Sequence, residues 1–494
     1  MTRCSVMLLA ALAWGCGSTI KATGDTGTDT TADPSDADGI DDPLDDTMDD
    51  TSTDTDGPTD VLPDDTACTP GDAHCTLDAA NLEVCRGDGS GYDTTPCPYG
   101  CLVGPPAHCA EWDVSNIPDS SLVTAGETPT GDPWPTEGDH WVDFDTTTGA
   151  VEMWSLPGWT HERTVRPETA GPGLHAESGI YFEIVSQGTG APELGVFSFQ
   201  RITIPSNYVF GVWGARPLVL ISEEDFLIEG GVFAGCAWTD GPPVGGASES
   251  GTGPGAGTAG TRTPSSGGYY DGGGGGGAYG GAGGDGAGEP STLRGLGGTA
   301  CGDADLIPLV AGSGGGMGGG AGGGRWGGRS GAAVELVSGG TLTLEATGWI
   351  DAGGCGGIGA AEYEGGGGGG SGGAILVEAQ GLDLSGAITA NGGAGAGGGG
   401  PIDGTSGEDG QAGTALRAAG GAAGMWGCTG GPGSGDISPD GMDAPACGTG
   451  TYNWGGGGGG SGVIRINART VDLTDCLLSP PIGTAASQGG LGVH

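Results

Sequence analysis

Three runs of six consecutive glycines mark the C-terminal half of this 494-residue chain, at 272–277, 365–370 and 455–460. Glycine lets one backbone approach another closely, but it also loses more conformational freedom on folding than any other residue. Each run is therefore either a flexible linker or a segment of extended backbone packed against neighbouring chain. Aromatic residues recur just upstream of the runs. They are Tyr269, Tyr270, Tyr363, Tyr452 and Trp454.

Short apolar segments separate the glycine-rich excursions, which cover roughly 239–331, 353–373 and 391–462. Apolar residues recur at every second position in these segments, which predicts short strands with one face turned inward. Glu335 and Asp383 occupy alternate positions, and we expect their side chains to face outward, so that changing either residue should cost little stability. The expected inward core residues are Val334, Leu336, Leu342, Leu344, Ile375, Val377, Leu382, Leu384, Ile464, Ile466, Val471 and Leu473.

The spacing of these strands predicts the fold class of the C-terminal region, residues 189–494. Three strands separated by glycine turns give a unit of roughly 20 residues, the size of one rung of a parallel β-helix. We therefore predict a mostly β protein with a parallel β-helix-like repeat region and long Gly-rich loops. A disordered acidic linker and a small disulfide-rich module are expected to precede it.

Residues 190–494, with their glycine runs and repeated strand pattern, resemble the glycine-rich β-helical surface proteins of myxobacterial type. The likeness to PE-PGRS proteins is one of composition only, because the chain has no PE segment. The resemblance implies a β-helical fold and a location at the cell surface. It implies no catalytic residue.

The N-terminus has the organisation of an export signal. Arg3 precedes the apolar run 6–14, and small residues flank Cys16, as in secretory signal peptides. Residues 1–16 resemble a bacterial lipoprotein signal, which implies that Cys16 is lipidated and becomes the first residue of the mature chain. Gly17, rather than Asp, then implies sorting to the outer membrane.

The lipoprotein signal is an incomplete match. Ala13 stands where Leu is usual, Leu12 lies one place early, and Trp14 is bulky for its position. Ordinary signal-peptide cleavage near Gly17 is the alternative. No other segment reaches the 18 or so uninterrupted apolar residues that a spanning helix needs.

Residues 17–67 are predicted to form a disordered tether rich in Asp and Thr. Sixteen Asp residues lie between positions 22 and 66, with no Lys or Arg and very few large apolar side chains. Such a segment cannot bury enough apolar surface to offset the entropy of ordering. No window of the tether has the Asp, Gly and Glu spacing of an EF-hand calcium loop.

Residues 68–111 form a cysteine-rich module that is too small to be stabilised by a core. Dense cysteines in an exported chain favour disulfides over zinc, although fifteen pairings remain open for six cysteines. The module resembles short Cys-rich spacers of myxobacterial lipoproteins. Its cysteines are Cys68, Cys75, Cys85, Cys97, Cys101 and Cys109. A second even set, for which we expect three disulfides, is Cys236, Cys301, Cys355, Cys428, Cys447 and Cys476.

Residues 112–188 are predicted to form a Trp-rich β cap. Its tryptophans could form a sugar-stacking platform or a core, because aromatic rings pack on many surfaces; we favour core packing. These residues are Trp112, Trp134, Trp141, Trp154 and Trp159. The cap also groups histidines with acidic and basic residues, although no spacing matches a known catalytic motif. They are His140, His161, His175, Asp143, Asp145, Glu162, Arg163 and Arg166.

Charge and composition exclude several functions. A net charge of −48 makes phosphate neutralisation, and hence nucleic-acid binding, very unfavourable. The only lysine is Lys21, so lysine-dependent phosphate binding and Schiff-base chemistry are excluded. Ser371 matches G-x-S-x-G, but glycine runs generate that pattern by chance and no His lies nearby in sequence.

Two functional classes follow from these observations. The first is a lipid-anchored structural or adhesive protein of the cell surface, without catalysis, cofactor or metal, and with neutral glycans among its candidate partners. The second is a carbohydrate-binding or carbohydrate-active β-helix, as in polysaccharide lyases. Acidic glycans are poor ligands for either class, since few arginines are diluted in a strongly negative chain.

Overall fold

The computed structural model describes residues 68–493, with gaps at 98–99, 105, 110–111, 130–133, 135–136, 237–243, 266–267, 322–323, 436–437 and 449–451. The signal segment with Cys16 and the acidic tether lie outside the described residues. About 34% of the residues are in strands and almost none in helix, which confirms the mostly β fold. The described 3₁₀ helices are Ser120–Thr124, Glu168–Ala170 and Ser291–Leu293.

The cysteine-rich module consists of short antiparallel strands joined by disulfides. Its strands are β1 (Ala73–Cys75), β2 (Asn81–Cys85), β3 (Tyr92–Pro96), β4 (Cys101–Leu102) and β5 (His108–Cys109). All six cysteines are paired, as expected for this module. The pairs, which the sequence left open, are Cys68–Cys85, Cys75–Cys101 and Cys97–Cys109.

Two larger sheets contain most of the remaining strands. The remaining strands are β6 (Trp112–Asp113), β7 (Asp139–Asp145), β8 (Val151–Leu156), β9 (Thr160–Arg166), β10 (Gly173–His175), β11 (Ile180–Ser186), β12 (Glu193–Phe199), β13 (Ile202–Ile204), β14 (Tyr208–Trp213), β15 (Leu218–Ser222), β16 (Phe226–Ile228), β17 (Gly231–Phe233), β18 (Arg262–Ser265), β19 (Gly268–Asp271), β20 (Ala333–Leu344), β21 (Trp349–Asp351), β22 (Ala374–Leu384), β23 (Ala387–Thr389), β24 (Val463–Asp472), β25 (Leu477–Ser479), β26 (Ala486–Gly489) and β27 (Gly492–Val493). Strands β6 and β27 pair with each other, as do β18 and β19, and the others belong to the two larger sheets.

The first sheet has the order β10-β11-β12-β15-β20-β22-β24-β26, and β13 and β16 pair beside β20. The second has the order β25-β23-β21-β17-β14-β7-β8-β9. Strands β12 to β26 of the first sheet and β25 to β7 of the second are parallel. Successive chain segments therefore add one strand to each sheet. Strands β7 to β11, from the Trp-rich segment, hydrogen-bond into the same two sheets.

The main core lies between the inner faces of the two sheets, as the alternation of apolar residues predicts. Ten of the twelve expected core residues are buried there, from Val334 to Ile466. The prediction was wrong for Val471, which is 38% exposed, while Leu473 is only partly buried. Strand β26 pairs with Ile464–Asn467, and among the described residues no further strand pairs with the second half of β24 on that side.

The outer face of the first sheet is buried as well, which corrects the expectation for Glu335. Asp383 is exposed as predicted, but Glu335 and the nearby Glu378 are fully buried. The segment after β6 covers them: Asn116 Nδ2 donates to Glu335 Oε2 (3.1 Å), and Ser115 Oγ donates to Glu378 Oε1 (2.6 Å). Burial and the adjacent Glu378 carboxyl raise the pKa of Glu335 well above its usual value.

The three hexaglycine runs are ordered and pack against one another. Gly274 N donates to Gly366 O (3.0 Å), Gly369 N to Gly457 O (2.9 Å), and Gly457 N back to Gly274 O (2.9 Å). The first run thus donates to the second, the second to the third, and the third to the first. The packed alternative for the glycine runs is therefore the one observed.

Hydrogen-bond partners along each run repeat every three residues. Successive N–H groups of the first run, from Gly272 to Gly277, donate in turn to Thr261, Ala287, Gly366, Thr258, Gly284 and Gly369. Three residues per turn is the period of polyproline II-type helices, which leave their hydrogen-bonding groups free for neighbours. The described segments of the glycine-rich excursions thus form one bundle of extended chain, called the glycine bundle below.

The close spacing in the glycine bundle explains why these runs contain only glycine. A Cβ atom built on Gly368 would collide with the carbonyl oxygen of Gly275, and one on Gly457 with that of Gly284. The obstacle in both cases is backbone rather than a movable side chain. No other residue type fits at these positions without displacing a neighbouring segment.

The second set of cysteines forms two disulfides, Cys236–Cys355 and Cys428–Cys447. The expected third disulfide is not formed, and Cys301 and Cys476 remain unpaired. Cys301 lies beside Ala278, near the outer face of the first sheet, whereas Cys476 packs against the core between the sheets. The even number of cysteines was not a sufficient basis for three pairs.

Candidate functional site

Among the described residues of the Trp-rich segment, the three histidines make separate local contacts. His140 is buried, its Nδ1 lies 3.3 Å from Glu162 Oε2, and its Nε2 contacts the carbonyl oxygen of Glu137 (2.7 Å). His175 Nδ1 contacts Ser178 Oγ within a turn (2.9 Å), and His161 packs edge-on against the Trp154 ring. Each histidine therefore has a local structural role.

Arg166 holds backbone segments together rather than a ligand. Its buried guanidinium donates to the carbonyl oxygens of Gly149 (2.7 Å), Gly173 (3.0 Å) and Gly171. Burial lowers the pKa of Arg166 to about 10, so it remains charged at neutral pH. The side chain is buried and its hydrogen bonds go to protein carbonyl oxygens, so Arg166 joins backbone segments of the protein.

Several tryptophans of the same segment lie on the outer face of the second sheet. Trp112 is buried in a core, as expected, and Trp134 packs against the core between the sheets. Trp141 is half-buried and faces outward, because its neighbours in β7, His140 and Val142, face inward. Core packing therefore accounts for only some of these tryptophans.

The outward tryptophans form a continuous aromatic group across the sheet. The Trp141 ring centroid lies 5.5 Å from that of Trp159 and 5.5 Å from that of Phe233, which lies 6.2 Å from that of Trp349. Strand register places Trp154 of β8 directly beside Trp141. We call these five residues, Trp141, Trp154, Trp159, Phe233 and Trp349, the tryptophan row.

Glycines in the neighbouring strands allow the indoles to lie against the sheet. A Cβ on Gly211 of β14 would collide with the Trp141 ring, and one on Gly231 of β17 would collide with the Trp349 ring. A glycine inside a strand often marks such a close approach. One face of the Trp141 ring and of the Trp349 ring therefore packs against the sheet. All five side chains of the tryptophan row are half-buried.

Carboxylates flank the tryptophan row on the same face. Asp143 accepts a hydrogen bond from Trp141 Nε1 (2.6 Å) and pairs across the strands with Glu152, which is also half-buried. Asp351 lies two residues after Trp349 in β21 but is buried, and burial raises the pKa of its carboxyl group to about 7. The surface around the row is therefore aromatic and acidic.

A second aromatic group lies where segments of the glycine bundle turn. Tyr270 stacks on Tyr452 with 5.5 Å between centroids, and the Arg262 guanidinium lies 4.5 Å from the centre of the Tyr269 ring. Arg262 also forms a paired contact with the buried Asp271. These aromatics pack against the turns, which gives the aromatic residues upstream of the glycine runs a structural role.

Neither a metal centre nor a serine nucleophile is supported by the described residues. Cys236, Cys355 and Asp409 cluster within 4.8 Å, but the two sulfur atoms form a disulfide and offer no thiolate. Ser371 is fully buried, and its Oγ accepts a hydrogen bond from Ser313 N (2.9 Å). It serves as a junction between the glycine bundle and the first sheet.

Comparison with protein-family models, with curated proteins and with solved structures finds no match to this chain. In the part of the chain that the structure describes, no helix is both long and apolar enough to cross a membrane.

The sequence analysis identified Trp141, Trp154 and Trp159 but did not connect them with Phe233 and Trp349. These two residues lie further along the chain, in strands β17 and β21. The signal in the sequence was two glycines next to apolar strand residues, Gly211 within β14 and Gly231 at the start of β17. Strand glycines can indicate an overlying ring, but the sequence does not say which ring.

Proposed function

We propose that the protein is a lipid-anchored structural or adhesive protein of the cell surface, without catalytic activity. The observation that carries the proposal is the triangle of hydrogen bonds among the three hexaglycine runs. A bundle held by backbone hydrogen bonds, with no space for a Cβ atom at positions such as Gly368 and Gly457, is suited to rigidity rather than to enclosing a substrate. The five disulfides among the described residues are compatible with an oxidising, extracellular setting.

We also propose that the two parallel ladders are the rungs of a parallel β-helix, with the glycine bundle as its inserted excursions. The register supports this, since Leu218, Val334, Ile375 and Ile464 pair in succession across four strands. The resemblance to glycine-rich surface proteins of myxobacterial type agrees with such an architecture. Lipid attachment at Cys16 would place the whole body outside the outer membrane.

The anchor is tested by labelling cells with palmitate. Wild-type protein should incorporate the label and fractionate with the outer membrane, whereas Cys16→Ser should do neither. Equal labelling of both proteins would contradict lipidation at Cys16. Cys301→Ser, which leaves the signal unchanged, is the matched control and should be labelled like the wild type.

The non-catalytic role is tested with the full mature chain on panels of polysaccharides, with and without calcium. We expect no turnover, together with adhesion of cells that display the protein. Reproducible cleavage that is lost on changing one carboxylate or arginine would favour the second candidate, a carbohydrate-active β-helix. The tryptophan row is the observation that favours the carbohydrate-binding version of that candidate.

A further inference from the structure

We infer that the tryptophan row is the adhesive surface of the protein and that its ligand is an uncharged polysaccharide. This inference rests on the proposed adhesive function and specifies its partner. It starts from the shape of the surface. Register places His161, Trp154, Trp141, Val209, Gly231 and Trp349 in one outward line across six strands.

The line is long enough for an extended ligand. Strands in a sheet lie about 4.8 Å apart, so the four steps from β8 to β21 span roughly 19 Å. The rings along it are in mutual contact, with neighbouring centroids separated by 5.5 to 6.2 Å from Trp159 to Trp349. A linear polymer lying across the strands would meet one aromatic surface after another.

The chemistry of the row matches a sugar chain. Pyranose rings present apolar C–H faces, which pack on aromatic faces, and hydroxyl groups around their edges, which donate hydrogen bonds. Asp143 and Glu152 lie beside Trp141 and Trp154 on the same face and can accept such bonds. An aromatic line bordered by acceptors therefore suits a ligand that is apolar in its faces and rich in donors at its edges.

Charge selects uncharged sugars over other partners. The chain carries a net charge of −48, and the carboxylates beside the row add local negative potential. Polyuronates, nucleic acids and anionic membranes are repelled by such a surface. A second copy of the chain is disfavoured for the same reason. An uncharged polysaccharide meets no electrostatic penalty and uses both the rings and the acceptors.

The row is also preorganised for binding. Gly211 lets the Trp141 ring lie against the sheet, and Gly231 does the same for Trp349. The Phe233 ring packs between these two indole rings. Side chains that are already fixed lose little conformational freedom when a ligand is bound. This distinguishes the row from exposed aromatics such as Trp326, which is 57% exposed in a glycine-rich segment.

The experiment measures binding of the full mature chain to cellulose, amylose and arabinoxylan, with polygalacturonate as the charged comparison. We expect binding to at least one uncharged polymer and none to polygalacturonate. Trp349→Ala and Trp141→Ala should each weaken binding by about tenfold or more. Trp326→Ala is the matched control and should bind like the wild type.

Folding is checked separately, because removing Trp141 or Trp349 uncovers a strand glycine. Each variant is compared by melting temperature, and Trp349→Tyr, which keeps an aromatic face, should restore most of the binding. Equal loss in Trp326→Ala, or preferential binding to polygalacturonate, would overturn the inference. If no uncharged polymer binds while displayed protein still mediates adhesion, the sugar ligand is wrong and the adhesive function stands.

Discussion

The space between the two sheets is filled by large side chains, whereas the space inside the glycine bundle is filled by backbone. Phe144, Phe197 and Phe210 meet ring to ring in the core, with centroids about 5 Å apart. In the bundle, Gly274, Gly369 and Gly457 are joined only by N–H to carbonyl hydrogen bonds. One region is stabilised mainly by apolar burial and the other by hydrogen bonds and close packing.

This difference predicts opposite responses to substitution. A core between sheets tolerates a change of shape better than a loss of volume, since neighbours can adjust. A backbone-packed bundle tolerates no gain of volume, because the obstacles are carbonyl oxygens fixed by their own hydrogen bonds. The first two predictions below test this contrast, beginning with the largest expected effect, and the third concerns carboxyl groups buried in the two sheets.

Gly368→Ala should be the most damaging of these changes. Its new methyl group would collide with the carbonyl oxygen of Gly275, so two glycine runs would have to separate. We expect failure to fold, or a loss of more than about 4 kcal/mol in the free energy of unfolding measured by denaturant titration. Gly490→Ala is the control, because a Cβ there meets nothing within 4 Å. Equal effects for the two variants would contradict backbone packing in the bundle.

Leu344→Ala should have the next largest effect, on the side-chain core. Leu344 is fully buried between the sheets, and truncating such a residue costs about 2 to 5 kcal/mol. Asp383→Ala, on the exposed side of the adjacent strand, should change stability by less than about 0.5 kcal/mol. Val471→Ala should also cost little stability, since Val471 is 38% exposed in the part of β24 that does not pair with β26. If Leu344→Ala and Asp383→Ala were equally mild, the core between the sheets would be wrong.

Acidification should stabilise the sheets through buried carboxyl groups. The pKa of Asp351 is raised to about 7 by burial, so the folded state holds a proton that the unfolded state releases near pH 4. Stability should therefore fall by about 1.4 kcal/mol per pH unit between about pH 4 and 7 because of this group, and then level off. The raised pKa of Glu335 adds a fall in the same direction.

Asp351→Asn is the variant that isolates this contribution. Its carboxamide oxygen can still accept the hydrogen bond that Thr389 Oγ1 donates to Asp351 (2.7 Å), but it carries no titratable proton. The unfolding free energy of this variant should depend less on pH from 4 to 7 than that of the wild type. Asp383→Asn, at an exposed position, should retain the wild-type dependence. An unchanged profile for Asp351→Asn would contradict a protonated Asp351 in the folded state.

The sequence predicted the mostly β fold and most of the inward core because alternation is a local property of a strand. The prediction failed at Val471, whose exposure depends on where pairing along β24 ends. It also failed at Glu335, which faces away from the main core but is buried beneath the segment after β6. The covering residues, such as Asn116, come from more than 200 positions earlier in the chain. Local periodicity carries no information about a contact of that sequence separation.

For the candidate site, the sequence identified three tryptophans of the row but not the other members. Trp141 and Trp349 are brought to one face by strand pairing, through β14 and β17, that follows from the order of strands in the second sheet. The two rings are recognisable as one surface only when that order is known. Pairing of the six cysteines in the cysteine-rich module was likewise open until the strands of the module were placed.

The sequence by itself determined where side chains are absent, which positions alternate and which sign of charge the surface carries, because these are properties of residue types and their spacing. The tertiary structure alone decided that the three hexaglycine runs contact one another, which cysteines pair and which rings share a face. The physical reason is that hydrogen bonds and packing between distant segments depend on how strands and glycine segments are ordered in space. Many orders are compatible with the same local pattern.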